Sequence, residues 1–144
     1  MKPSLIWLTF FTRVMVGLLF GMAGYHKVFV QGPAAHAQQW FTGPYAGSWM
    51  PHWLLYATGI TVPFVELIAG WLLVVGLFRL PAAIALGFVL LLVTYGHALK
   101  EPLFNVNSHI IPRTLLLIPT WIFSVESDPW SLDAFIVEWK SKKV

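Results

Sequence analysis

Arg13 and Glu66 stand near the middle of two long apolar segments, while Lys27, His97, His109 and Arg113 gather toward the ends of such segments. A charge at the centre of a membrane helix costs roughly 2.5–3.5 kcal/mol on insertion scales, so ionisable groups placed there face one another or a polar cavity. Glu66 is the candidate catalytic group, since a carboxyl held against a ligand oxygen can exchange a proton with it. Arg13, Lys27, His97, His109 and Arg113 are the candidate ligand-binding residues, because each offers N–H donors. Arg13 and Glu66 also have a purely architectural reading, as a structural pair that fixes helix register.

The segments that carry these residues dominate the composition. Hydrophobic residues make up 58% of the 144 and charged residues only 10%, against about 25% charged in ordinary soluble domains. Mean hydropathy is +0.72. A chain of this length holds about four spans of roughly 20 residues, so a single membrane domain over 1–144 is expected. Cysteine is absent, which excludes disulfides, cysteine-ligated iron–sulfur clusters and thiol chemistry of the chain's own. The net charge of +3 serves orientation and lipid headgroups rather than nucleic acid.

The expected fold is all-α, an integral membrane four-helix bundle. Its spans run from about Ser4 to His26, Trp53 to Phe78, Pro81 to Leu99 and His109 to Val125. Lys2 followed by an apolar run also fits a signal peptide, but Arg13 interrupts that run and favours a retained helix. Between the first two spans, Gly32, Pro33, Gly43, Pro44, Gly47 and Pro51 alternate with Trp40, Tyr45 and Trp49. Such mixtures mark the membrane interface, and Ala34 to Phe41 reads as a short interfacial helix or, alternatively, as part of an irregular loop anchored by Trp. Trp130 to Trp139 reads as a C-terminal amphipathic helix. With four spans, Lys2, Arg79, Lys140, Lys142 and Lys143 share the side of the termini and Lys27 and Lys100 lie opposite. The positive-inside rule then places both termini in the cytoplasm.

Each span presents polar or small residues at a period near 3.5, as an inward face should. The stripes are Arg13, Gly17, Phe20, Gly24 and Lys27; Gly59, Val62 or Pro63, Glu66, Gly70 and Leu73; Gly87, Leu90, Thr94 and His97; and His109, Arg113, Leu116 and Thr120. Counted from the inner span ends at about 1.5 Å per residue, Arg13 and Glu66 match in depth within about one turn. Lys27, His97, His109 and Arg113 lie nearer the outer mouth. His26, His97 and His109 share a depth, yet no HxxxH, ExxH or CxxCH spacing supports haem or a metal, and neither is expected.

Arg13-x3-Gly17-x2-Phe20-x3-Gly24-x2-Lys27, then Glu66-x3-Gly70, the turn Gly76 to Ala83 and Ser131-Leu132-Asp133 together resemble the DoxX family of small four-helix membrane proteins. Arg13, Lys27, Glu66 and Arg79 are the family-like positions. The turn before Arg79 is tighter than the usual family form, and the outer loop is richer in Trp and Pro. The resemblance implies a bacterial or archaeal cytoplasmic-membrane protein, the inner membrane in a bacterium, in a redox setting linked to quinone or to a sulfur oxyanion such as thiosulfate. It implies action with partner membrane subunits and no covalently bound cofactor. The alternative is a non-catalytic accessory subunit of a larger membrane complex. A small transporter ranks below both, because no inverted repeat is visible.

Overall fold

The computed structural model describes residues 3–100, 106–123 and 128–143, with the backbone alone at 106–109. Every regular element among them is helical. The first, α1 (Pro3–Tyr25), runs on without a break as a π-helical stretch, His26–Gln31. Gly32 ends it at φ 86°, a conformation that only glycine adopts without strain. Pro33 then opens α2 (Pro33–Ala37), which passes into a second π-helical stretch, Gln38–Thr42. After a turn-rich segment come α3 (His52–Val75), α4 (Arg79–Lys100), α5 (Val106–Phe123) and α6 (Leu132–Ser141).

Among the described residues three helices are long and apolar enough to cross a membrane: Pro3–Gln31, His52–Val75 and Arg79–Lys100. Their outward faces expose Phe11, Met15, Met22, Ile68, Phe88 and Leu91, the surface that lipid rather than water would solvate. Ile110–Phe123 is apolar but shorter. The described helices differ by a few residues from the expected limits. The first helix extends past His26 to Gln31, and α3 stops at Val75 rather than Phe78. Residues 101–105 and 124–127 lie outside the described residues.

The early stop of α3 has a local cause. Gly76 takes the left-handed conformation at φ 74°, its N–H donates to Leu73 O at 3.1 Å, and Leu77 N–H donates to Leu72 O at 2.9 Å. This is a Schellman closure of the helix end. Pro63 lies inside α3 without ending it.

The most extensive helix contact is α1 against α3; α4 packs on α3, and α5 on α1 and α4. The core unites Val16, Phe20, Ala69, Leu73, Ala82, Ala83, Leu86, Leu90 and Leu117. What brings α1 and α3 together is the absence of side chains. A Cβ on Gly70 would stand 2.6 Å from Gly21 Cα and 2.8 Å from Gly17 O, and one on Gly24 would stand 2.7 Å from Leu67 Cα. Backbone therefore meets backbone, as small residues permit in membranes.

Gly21 differs, since a Cβ there meets Trp71 only at an ordinary 3.5 Å. Gly70→Ala should push the helices apart and lower stability by about 1–3 kcal/mol, the usual range for overpacking. Gly21→Ala should be neutral or slightly stabilising through helix propensity. Thermal unfolding of the two variants in detergent checks the contrast.

Candidate functional site

The register set by those glycines separates the charges that the sequence pairs. Arg13 does not reach Glu66. It faces the last turn of α3, seven residues beyond Glu66, or about 10 Å along the axis. There Arg13 Nη1 donates to Leu73 O and to Val74 O, the latter at 2.7 Å; Nη2 donates to Trp130 O at 3.2 Å; and Nε donates to Asp128 Oδ2 at 2.9 Å. Leu73 O and Val74 O lie in the closing turn of α3, where carbonyls lose their usual i+4 amide partners, and a guanidinium has enough donors to serve them together with Trp130 O and a carboxylate. Arg13 is 1% exposed and Asp128 is fully buried, so the pair is a sealed structural knot. The depth comparison misleads because it treats the inner ends of both helices as level, whereas α1 begins well below the end of α3.

A second clamp sits beside the first. Asp133 accepts from Phe78 N–H at 3.0 Å and Arg79 N–H at 3.2 Å, and its Oδ2 lies 3.4 Å from Arg79 Nε. An acid from the C-terminal segment thus caps the start of α4, where the helix dipole favours negative charge. Ser131 caps α6 in turn, accepting from Ala134 N–H at 3.2 Å.

Glu66 has a different partner. Lys27 Nζ donates to Glu66 Oε2 at 2.5 Å, and the Lys27 side chain is 24% exposed where Glu66 is 2%. Lys27 comes from the π-helical extension of α1, opposite the middle of α3. The pair stands in the wall of a cavity of about 920 Å³ enclosed by α1, α3, α4, α5 and the segment of residues 33–50. Its other walls are largely apolar, with Phe20, Leu55, Val62, Val89, Leu90 and Ile110 contributing.

Four of the sequence candidates therefore meet around one space: Glu66, Lys27, His97 and Arg113. Arg113 lies over the Phe20 ring at 5.4 Å, which holds its cation inside rather than letting it extend to the surface. His97 is exposed, with Nδ1 donating to Val93 O of its own helix at 2.8 Å, and so belongs to the rim. His109 stands on α5, with its side chain outside the described residues.

The cavity cover is the part that pattern reading misses. Ala37 lies flush on Gly59, where a Cβ would come within 2.7 Å of Ala37 Cα. That seating buries His36 to 3% exposure and sets its Nδ1 2.8 Å from Gly59 O. Gln31 Nε2 donates to Gln39 Oε1 at 2.8 Å, and Tyr45 Oη donates to Gly96 O at 2.7 Å, tying the cover to α1 and α4. Burial pushes the His36 imidazole below its ordinary 6.5; the bond to Gly59 and the Glu66 charge oppose this, while Lys27 adds to it. Burial raises the Tyr45 phenol. The available signal for His36 is the small residue Gly59 on the inward stripe of α3, which admits a close neighbour without saying which one.

Residues 8–98 match the family model DoxX. No curated protein and no solved structure matches the chain.

Asp128→Ala strands a buried guanidinium, a change that costs about 3–5 kcal/mol when one partner of a buried pair is removed. A marked fall in unfolding temperature in detergent is expected, and an unchanged value would refute the knot. For His36 the sign follows from its lowered folded-state value. Its contribution is whole above 6.5 and is lost as pH falls from there through the folded-state value. Between about pH 8 and 5, His36→Gln should therefore lose less stability than the native chain. Parallel decline in the two would remove His36 as a source of acid sensitivity.

Proposed function

Because the chain belongs to the DoxX family and carries three helices of membrane-spanning length, we propose that it is a quinone-linked, redox-associated subunit of a bacterial inner membrane, acting with partner proteins. In this reading α5 is the fourth span and completes a four-helix bundle. Its 18 residues rise about 27 Å, near the roughly 30 Å of a bilayer's hydrocarbon core. Both termini face the cytoplasm, in keeping with the excess of Lys and Arg on their side, and the cavity opens toward the outer face.

The cavity is the observation that carries the reading. At about 920 Å³ it lies within the range of small-molecule sites, about 300–1,000 Å³, and it has their texture of apolar walls with a few placed polar groups. A flat ring bearing oxygens suits it. A small sulfur oxyanion is charged on every side and would lose hydration against Leu55, Val62 and Leu90 without compensation.

The chain's own groups divide the work. Lys27 and Arg113 orient ligand oxygens, Glu66 exchanges a proton with them, and residues 33–50 cover part of the cavity. Quinone and hydroquinone differ by two electrons and two protons. With no cysteine in the chain, a thiol couple of its own is excluded, and the electrons pass to or from a partner subunit.

Glu66→Gln keeps the shape of the side chain but removes the proton exchange. Quinone-linked turnover of native membranes should fall by about 100-fold or more, with the abundance and unfolding temperature of the chain retained. Full turnover would end the catalytic assignment of Glu66. A purified chain that binds no quinone, yet extracts in gentle detergent with fixed partners, would identify a non-catalytic accessory subunit instead.

A further inference from the structure

The cavity presents acceptors as well as the N–H donors of Lys27 and Arg113. His36 Nδ1 lies 2.8 Å from Gly59 O, and a carbonyl only accepts, so Nδ1 carries the hydrogen. In the neutral ring, Nε2 is then an acceptor. The seating of Ala37 on Gly59 and the tilted contact with Phe41, at 5.7 Å between centroids, hold the ring in place. His36 lines the cavity, and among the described residues no protein donor bonds to its Nε2. Glu66 adds a second acceptor, since Lys27 occupies Oε2 and no described protein donor occupies Oε1.

Acceptors that border an apolar cavity are best met by donors of the ligand that fills it. A ring bearing only carbonyl oxygens can accept from Lys27 and Arg113, but it has no hydrogen to give to His36 Nε2 or to Glu66 Oε1. A ring bearing hydroxyls supplies the missing hydrogens. We propose that the cavity selects the reduced, hydroxyl-bearing form of its ligand, a hydroquinone, with His36 Nε2 accepting from one ring hydroxyl. His36 is thereby the residue that tells the two redox forms apart. This inference rests on the quinone-site reading and adds a direction to it, since a site that holds the reduced form more tightly favours reduction of the ligand bound there.

The test uses the full chain in lipid nanodiscs under anaerobic conditions, with calorimetric titration of three probes that share a decyl tail: a hydroquinone, the corresponding quinone and the hydroquinone dimethyl ether. The ether keeps the ring and both oxygens but cannot donate. The hydroquinone should bind at least about tenfold more tightly than either other probe, because sites built to bond a hydroxyl reject analogues that lack it. In His36→Asn the amide nitrogen can replace Nδ1 at Gly59 while the cavity acceptor is lost, so the preference should collapse with the fold retained. His36→Gln can return an acceptor near the position of Nε2 and should restore part of it. Equal binding of the three probes would overturn the inference and leave the quinone site standing, as would tighter binding of the quinone. A preference untouched in His36→Asn would overturn the role of His36. Binding of none of the probes would overturn the site reading, and this inference with it.

Discussion

The close approach of α1 to α3 is the constraint from which the other features follow. Gly17, Gly24 and Gly70 remove the side chains that would hold the helices apart, and each faces backbone rather than a movable group. Backbone contact of this kind admits little sliding, so it fixes register as well as distance. Once register is fixed, the two cations of the first helix have no choice of neighbour. Arg13 meets the closing turn of α3 and Lys27 meets Glu66. These positions are separated by 14 residues, about 21 Å of helix. One packing seam thus creates two electrostatic environments that share no residue.

The environments differ in what they leave available. At the lower one, Asp128 and the carbonyls of Leu73, Val74 and Trp130 use the donors of Arg13, and solvent is excluded. A buried pair so completely bonded adds less to stability than the bonds suggest, because desolvation offsets them, but breaking it is costly. Its effect is to tie the C-terminal segment to the closing turn of α3. At the upper environment Lys27 remains partly open and Glu66 borders a ligand-sized space. A proton can come and go only where such openness exists, and of the two buried charges Glu66 has it and Arg13 does not.

The sequence makes the helices legible and the pairings only partly so. Apolar length and the 3.5 period identify α1, α3 and α4, and the predicted inward residues Arg13, Gly17, Phe20, Gly24, Gly59, Glu66, Gly70 and Leu73 are all buried. Periodicity reports a face but not a height. The height of Arg13 depends on how far α1 overhangs α3, which backbone contact decides and no single-helix pattern encodes. Lys27, Glu66, His97 and Arg113 converge as a group because convergence requires only a shared face and roughly equal depth. His36 escapes because it belongs to a short helix whose neighbours are set by the seating of Ala37 on Gly59. The π-helical stretches that flank that helix carry no propensity signal at all.

The family match sharpens the distinction between framework and attachment. It spans residues 8–98 and so contains Arg13, Lys27, Glu66 and Arg79. Asp128 and Asp133, the counter-charges of Arg13 and Arg79, lie beyond it, as does Arg113. Lys27 and Glu66 complete each other within the matched region, whereas both arginines depend on the segment that follows. The matched region therefore supplies most of the cavity and its proton-bearing pair. The C-terminal segment locks the opposite end, capping α4 through Asp133 and neutralising Arg13 through Asp128. Changes at residues 128–143 act on the cavity only through helix positions, since none of the described side chains there lines the space.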